Sequence, residues 1–280
     1  MNREQRIQNA EQTLSIIEQG YYITENKKVD IGSIIQQSVD NSELFSPETL
    51  DSYTSKSFYK KFHTAIEVHN QTSMEAASDC AKDAKKTGCL NFASAKNPGG
   101  GFLGGALAQE ECLVSASSLY PTLIKFQEDM YEYNKSRQTY LYSDYMIFSP
   151  GVCFFKNDDG VLLEKPYQMD VLTSPAVNIG AMYNNNTKEL ALADKTMMTR
   201  TDKLLSLFAS KGVEVLILGA WGCGVFHNEP RKVAGYFAHY LTKDGKYDGA
   251  FRKVVFAVFD RSKNQENINV FREIFSPAKL

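Results

Sequence analysis

Hydrophobic residues recur along the chain with two different periods, one typical of helices and one typical of buried strands. Residues 2–19 carry a stripe of apolar side chains three or four positions apart, which predicts an amphipathic helix that ends at Gly20. The stripe consists of Ile7, Ala10, Leu14 and Ile17. Residues 29–39 and 72–86 also favour helices, whereas the polar and aromatic residues 42–69 do not decide between helix and strand.

From Gly88 onward, short apolar runs alternate with helical patterns. The apolar runs predict strands at residues 89–93, 145–149, 169–176, 213–218 and 253–258. The helical patterns lie at residues 106–120, 188–210, 230–241 and 264–275, and residues 157–160 form a predicted hairpin turn. Continuous apolar runs of this length suit a sheet that helices cover on both faces. The sequence therefore predicts an α/β fold.

Three successive glycines, Gly99, Gly100 and Gly101, follow the first of these strands. Residues without a side chain allow positive φ and a close approach to a ligand, so amide N–H groups can point at phosphate or ribose oxygens. The alanine-rich residues 105–108 then favour a helix whose N-terminal end attracts anions. Glu110 and Glu111 lie in this predicted helix. The combination predicts a site for a phosphorylated sugar that carries its own acid.

A second glycine-rich turn, Trp221-Gly-Cys-Gly224, follows the predicted strand at residues 213–218. Both turns therefore lie at strand C-terminal ends, where open α/β sheets bind their ligands. We expect the two turns to form the walls of one nucleotide-sugar cleft. A P-loop fits poorly, because neither turn contains its Gly-Lys-Ser/Thr.

Composition narrows the class of protein. The 280 residues are 43% hydrophobic and include 31 basic and 33 acidic side chains, so no broad electrostatic surface for nucleic acid is expected. No run approaches the roughly 18 apolar residues of a membrane span, and residues 1–6 lack the apolar core of a secretory signal. Five cysteines without C-x-x-C spacing suggest reduced thiols rather than disulfides or zinc ligands. A cytoplasmic location without membrane contact is the resulting expectation.

The block Asn91-Phe-Ala-Ser-Ala-Lys-Asn-Pro-Gly-Gly-Gly-Phe-Leu-Gly-Gly-Ala-Leu-Ala-Gln-Glu-Glu111 resembles the bacterial-type poly(ADP-ribose) glycohydrolases, which are relatives of macrodomains. The signature of that family is a glycine triplet, a short spacer and Gln-Glu-Glu. The block Leu218-Gly-Ala-Trp-Gly-Cys-Gly-Val-Phe226 resembles the family's second phosphate-binding loop. The resemblance extends from about Asp79 to Asp260. It implies a macrodomain-like mixed sheet sandwiched by helices.

The resemblance also implies roles for individual residues. Glu111 would act first as acid toward the leaving ribose hydroxyl and then as base toward water, as hydrolysis through an oxocarbenium-like state requires. Burial and the neighbouring carboxylate are expected to raise the pKa of Glu111. Glu110, about 100° further round the helix, would hold ribose hydroxyls, while Gln109 orients the turn.

The remaining site residues are expected to bind the substrate. The backbone of Gly222, Cys223, Gly224 and Val225 would hold the diphosphate, and Phe226 would pack on the adjoining ribose. Asn97 is chosen over Asn91 and Ser94 for the distal ribose, because Asn91-Phe-Ala-Ser94 departs from the common macrodomain Asn-Ala-Ala-Asn. Ala93 would add a backbone contact, and Gly99, Gly100 and Gly101 line the first turn. Helix ends and amide groups already balance the phosphate charge, so neither a metal nor a cofactor is implied.

Several alternatives stay open at this level. The principal hypothesis is a poly(ADP-ribose) glycohydrolase that releases ADP-ribose from chain ends. A mono-ADP-ribosyl hydrolase acting on modified protein or nucleic acid, and a non-catalytic ADP-ribose-binding macrodomain, are the two alternatives. The predicted organisation is an N-terminal helical extension over residues 1–78, packed on a catalytic body over residues 79–280.

Overall fold

The computed structural model describes residues 1–25, 27–81 and 85–276. The strands are β1 (Tyr21–Thr24), β2 (Lys27–Asp30), β3 (Glu43–Phe45), β4 (Ala65–His69), β5 (Thr87–Phe92), β6 (Met146–Lys156), β7 (Leu162–Ser174), β8 (Val215–Leu218) and β9 (Lys253–Ala257). The helices are α1 (Arg3–Gln19), α2 (Gly32–Asp40), α3 (Pro47–Thr54), α4 (Ser73–Ala81), α5 (Gln109–Ser115), α6 (Leu119–Ile124), α7 (Tyr133–Ser136), α8 (Ile179–Asn185), α9 (Leu190–Ser210), α10 (Pro230–Leu241) and α11 (Glu266–Ile274).

Within the described residues, seven strands form one mixed sheet in the order β3-β6-β7-β5-β8-β9-β4, and β1 and β2 form a separate antiparallel pair. The neighbours from β7 to β4 run parallel, whereas β3, β6 and β7 pair antiparallel. Helices cover both faces. The macrodomain-like mixed sheet expected from the sequence is confirmed.

Side chains of the central strands alternate between two hydrophobic cores. On β8, Leu216 and Leu218 pack into the larger core with α9, α10 and α11, while Ile217 points to the opposite core with α4, α5 and α6. Side chains on both faces of β8 are buried, so its sequence is a continuous apolar run and does not alternate between apolar and polar residues. Because β5 and β8 pair in parallel, their C-terminal ends lie next to each other on the same side of the sheet.

Most predicted elements are present, with some shifted bounds. The helix predicted over residues 2–19 is confirmed as α1, which Asn2 caps and Gly20 ends. The helix predicted at residues 29–39 begins only at Gly32, because Val29 belongs to the hairpin strand β2. The predicted helix at residues 72–86 corresponds to α4, and residues 82–84 of that prediction lie outside the described part.

The prediction of one helix over residues 106–120 is wrong. Residues 106–108 are not helical, and α5 begins at Gln109 after the extended residue Ala108. The Ala106 N–H instead donates to the carbonyl of Gly101 at 3.1 Å, which keeps the chain folded back on the glycine turn. Alanine is a good helix former, but this hydrogen bond within the loop outweighs that preference.

The N-terminal segment does more than add helices to the catalytic body. Residues 42–69, which the pattern did not assign, contain β3 and β4, and these two strands form the opposite edges of the main sheet. The expected boundary at residue 78 remains a prediction, and residues 277–280 of the predicted body lie outside the described part. The segment before the boundary is an integral part of the sheet.

Candidate active site

The glycine triplet lies in the loop between β5 and α5. Gly99 and Gly100 have positive φ values of 71° and 62°, a conformation that side chains rarely tolerate. A Cβ atom on Gly100 would also collide with the carboxylate of Glu111, and one on Gly101 would crowd Ala106. The triplet therefore provides close packing of the backbone against the acidic residues of α5.

Glu111 is held at the entrance of a cleft by this loop. Its Oε1 accepts a hydrogen bond from the Gly101 N–H at 2.9 Å, and its side chain stays partly exposed. One carboxylate oxygen is thus fixed by the backbone. The position meets the main requirement for an acid or base, which is contact with both a fixed support and the ligand space.

Glu110 occupies a different environment from its neighbour. It is 3% exposed, and it accepts the Ser94 N–H at 2.6 Å and the Asn91 amide at 3.2 Å. Burial raises the pKa of Glu110 to about 8, and the charge of Glu111 acts in the same direction, against the lowering effect of these donors. Burial thus favours the neutral form of Glu110, because α5 turns this residue into the protein.

Gln109 anchors the start of α5 to the end of β5. Its Oε1 accepts the Phe92 N–H at 2.8 Å, and its Nε2 donates to the Leu90 carbonyl at 2.8 Å and to the Ser73 hydroxyl at 3.1 Å. The amide group thus continues the hydrogen-bond pattern of the strand. This geometry suits an orienting role rather than a reacting one.

The first loop uses its own amides internally. Gly100 N–H donates to the Asn97 carbonyl at 3.0 Å, and Gly101 N–H donates to Glu111. Gly99 is buried and does not line the cleft; a Cβ there would press on Phe102 and Val114. The expectation that the triplet points its amides at phosphate therefore differs from the structure, in which these groups hold protein oxygens.

The second loop, residues 220–226, is fixed from beneath by buried side chains. Trp221 is fully buried and donates from Nε1 to the Ser174 carbonyl at 3.0 Å. Asn228 donates to the carbonyls of Val177 at 2.8 Å and Gly222 at 3.1 Å. Gly222 has φ of 74°, and a Cβ there would collide with Ala176 and Asn228. The backbone is thus set before any ligand arrives.

The outward part of this loop keeps its amides available. The Cys223 N–H already donates to the Ala220 carbonyl at 3.1 Å, so its expected contact with a diphosphate is not supported. In the described part of the chain, the N–H groups of Gly224, Val225 and Phe226 have no acceptor. Burial raises the pKa of the Cys223 thiol to about 12, which leaves this cysteine unreactive.

Both loops line a single cleft of about 920 Å³. It contains twelve of the thirteen residues predicted for the site, namely Ala93, Asn97, Gly100, Gly101, Gln109, Glu110, Glu111, Gly222, Cys223, Gly224, Val225 and Phe226. Asn97 is exposed, and Ala93 is buried with its N–H on the Ser174 carbonyl at 3.4 Å. The volume lies within the range of roughly 300–1,000 Å³ that ligand pockets occupy.

The sequence interpretation missed several residues of the cleft. Phe259, which is 50% exposed with the Arg261 guanidinium 4.6 Å from its ring centre, follows β9 as the glycine loops follow β5 and β8. Its position directly after a parallel strand could have indicated a place in the cleft, because ligands bind beyond the C-terminal ends of such strands. Arg6 on α1 also lines the cleft, but no local pattern could reveal a contact made across about a hundred residues.

The described residues contain no group of three or more His, Cys, Asp or Glu side chains arranged to hold a metal ion. None of their helices combines the length and the apolar character needed to cross a membrane.

Comparisons with known proteins agree with this geometry. Residues 10–157, more than half of the chain, match the family described as microbial-type PARG, catalytic domain, where PARG is poly(ADP-ribose) glycohydrolase. A search of curated proteins found no match.

Several solved structures resemble the whole chain. Poly(ADP-ribose) glycohydrolase from Thermomonospora curvata aligns at 38% identity with a TM-score of 0.93, covering 98% of this chain and 100% of that one. The same protein bound to the inhibitor ADP-HPD aligns with a TM-score of 0.91 at 38% identity over the same shares. The Deinococcus radiodurans enzyme in complex with ADP-ribose aligns at 36% identity with a TM-score of 0.81, covering 88% and 98% of the two chains.

Proposed function

The chain belongs to the microbial-type poly(ADP-ribose) glycohydrolase family and is therefore a glycoside hydrolase, and we propose that Glu111 is its acid and base. The observation that carries this assignment is the position of Glu111. Its carboxylate is fixed by the Gly101 N–H, remains partly exposed, and shares one cleft with the unoccupied amides of the second loop. The bond broken is the ribose–ribose O-glycosidic bond of poly(ADP-ribose).

The terminal ADP-ribose unit is held by the second loop. The N–H groups of Gly224 and Val225 donate to the diphosphate, and the ring of Phe226 packs on the adjoining ribose. Rigid amides that need no rearrangement suit this task, because a fixed set of donors loses little entropy on binding. The Deinococcus radiodurans relative solved with ADP-ribose supports the choice of ligand.

Cleavage then proceeds in two proton transfers. Protonated Glu111 donates to the leaving hydroxyl oxygen as the bond from that oxygen to the anomeric carbon breaks. The resulting carboxylate takes a proton from a water molecule, whose oxygen bonds to the anomeric carbon. Glu111 is thereby returned to its protonated form, and the Gly101 N–H stabilises the charged intermediate form of the carboxylate.

Glu110 contributes in a different way. Because its pKa is raised to about 8, it carries no charge at neutral pH and does not add a second negative charge beside Glu111. We assign it the contact with ribose hydroxyls, supported by its place in the lining of the cleft. Asn97, whose side chain is exposed at the rim, is the proposed partner of the distal ribose.

Cleavage from chain ends and a cytoplasmic location belong to the same proposal. Release of single terminal units is supported by a cleft in which Glu111 and the second loop, the proposed site of one terminal unit, lie together. The location is supported by the five cysteines, all of which are free thiols, as is usual in reducing compartments.

The deciding experiment measures release of free ADP-ribose from poly(ADP-ribose) and from a mono-ADP-ribosylated protein, with Glu111→Gln as the control. We expect release from the polymer by the wild type and none by the variant. Calorimetry on both proteins reports ADP-ribose binding. Release only from the mono-ADP-ribosylated protein would replace the proposed substrate, and equal release by the variant would remove Glu111 from the mechanism.

A further inference from the structure

Glu111 shares its cleft with residues outside the two loops. The outer groove is defined here as the part of the cleft lined by Arg6, Leu107, Thr72 and Asp158. Arg6 comes from the first turns of α1, Leu107 from the loop before α5, Thr72 from the position before α4 and Asp158 from the β6–β7 turn. Because Glu111 and the outer groove line one continuous cleft, the leaving part of a substrate has room there.

Arg6 is fixed in place and keeps hydrogen-bonding capacity. Its Nε donates to the Gly105 carbonyl at 2.8 Å and its Nη1 to the Met1 carbonyl at 2.9 Å. In the described part of the chain, Nη2 has no acceptor. Gly105 is followed by Ala106, whose N–H donates to the Gly101 carbonyl. The Gly101 N–H in turn donates to Glu111. The guanidinium of Arg6 is therefore bonded to the same loop that holds the acid.

The lining of the outer groove contains side chains of both charges. Asp158 accepts a hydrogen bond from the Thr72 hydroxyl at 3.0 Å, and burial, with Glu75 and Asp159, raises its pKa. A charged Asp158 repels anions, whereas Arg6 attracts them. Leu107 is 65% exposed, which leaves an apolar surface next to Arg6.

We propose that Arg6 and Leu107 bind the leaving part of the polymer, the penultimate ADP-ribose unit. This inference rests on the proposed function. The oxygen that accepts the proton from Glu111 belongs to the adenosine ribose of that unit, so its ribose and base emerge first and its diphosphate follows one sugar away. Leu107 packs against the nucleoside, and the guanidinium of Arg6 donates to the diphosphate.

The test compares Arg6→Gln with a matched control, Arg3→Gln. Arg3 makes the equivalent contact with the residue before Gly105, since its Nε donates to the Gly104 carbonyl at 3.0 Å. Arg3 does not line the cleft. The measured quantity is the ratio of kcat/KM for poly(ADP-ribose) to kcat/KM for an aryl glycoside of ADP-ribose, whose leaving group has no phosphate. Glutamine keeps an amide donor for Gly105 but removes the charge and the Nη1 hydrogen bond to the Met1 carbonyl.

We expect Arg6→Gln to lower this ratio about tenfold, mostly through KM, as loss of a charge-assisted bond to phosphate predicts. The ratio should be unchanged in Arg3→Gln. Added salt should lower the wild-type ratio and affect the Arg6 variant less, because the variant lacks the charge that salt screens. Leu107→Ser should lower the ratio without changing its salt dependence.

Equal kcat/KM ratios in the wild type and Arg6→Gln would overturn the inference. An equal fall of the ratio in Arg6→Gln and Arg3→Gln would also overturn it, because both arginines would then act only by holding the loop. Neither result touches the proposed function. That proposal fails separately, if the wild type releases no ADP-ribose from the polymer or if Glu111→Gln still does.

Discussion

The two glycine-rich loops look alike in sequence and are used in opposite ways. In the first loop, the amides of Gly100 and Gly101 are occupied by the Asn97 carbonyl and the Glu111 carboxylate. In the second, the side chains of Trp221 and Asn228 fix the turn from below, and the outward N–H groups are left without acceptors among the described residues. One loop therefore positions an acid, and the other is suited to hold an anion.

This contrast shows that a missing side chain has two distinct uses. At Gly100 it makes room for the protein's own carboxylate, whereas at Gly222 it lets the backbone turn sharply over buried supports. Changes in the first loop should therefore affect the chemical step, and changes in the second should affect binding.

The largest effect is expected for Glu111→Gln. Glutamine keeps the shape and can still accept the Gly101 N–H, but it cannot exchange a proton. We expect kcat on poly(ADP-ribose) to fall about a thousandfold, with affinity for ADP-ribose unchanged within about twofold. Steady-state kinetics and calorimetry measure the two quantities. A large loss of affinity would contradict the assignment of binding to the second loop.

The next largest effect is expected for Gly100→Ala. The new methyl group would collide with the Glu111 carboxylate, and the positive φ of residue 100 adds strain. We expect kcat to fall about a hundredfold through misplacement of Glu111, with a smaller change in ADP-ribose affinity. Gly104→Ala is the control, because a Cβ there meets nothing within 4 Å. Similar kinetics for both variants would argue against the close packing described here.

Glu110→Gln should change the pH dependence of stability. Since the pKa of Glu110 rises from its ordinary value of 4.5 to about 8 on folding, the wild type is relatively most stable below pH 4.5 and loses stability as the pH rises through 8. Glutamine does not titrate, and its amide can donate to the Asn91 Oδ1, which lacks a partner among the described residues.

Denaturant unfolding at pH 5 and pH 9 measures this effect. We expect the unfolding free energy of the variant, relative to the wild type, to be higher at pH 9 than at pH 5 by about 4 kcal/mol. A difference that is the same at both pH values would mean that Glu110 is charged throughout.

The smallest effect is expected for Gly222→Ala. A Cβ at this position would displace Asn228 and Ala176, so the outward amides would shift. We expect ADP-ribose affinity to fall about tenfold while kcat changes less. Gly235→Ala on α10 is the control, because a Cβ there meets nothing within 4 Å. A fall in kcat larger than the fall in affinity would remove the distinction between the loops.

Much of the fold was predictable because its signals are local. The apolar run of β8 is buried on both faces, and Pro230–Leu241 forms a helix with the predicted bounds, since short-range pattern and tertiary burial agree there. The two edge strands β3 and β4 were not predicted. They are short, and their pairing with β6 and β9 joins residues far apart in sequence.

The residues that could do the chemistry are visible in the sequence without a fold, because the glycine triplet, the Gln-Glu-Glu of α5 and the second loop are each contiguous. How each is used depends on the packing of the whole chain. Burial by distant segments raises the pKa of Glu110 to about 8, and the side chains of Trp221 and Asn228 fix the second loop from below. The hydrogen bond from Arg6 to Gly105 also depends on the tertiary structure, because the two residues are far apart in the sequence and only folding brings them together.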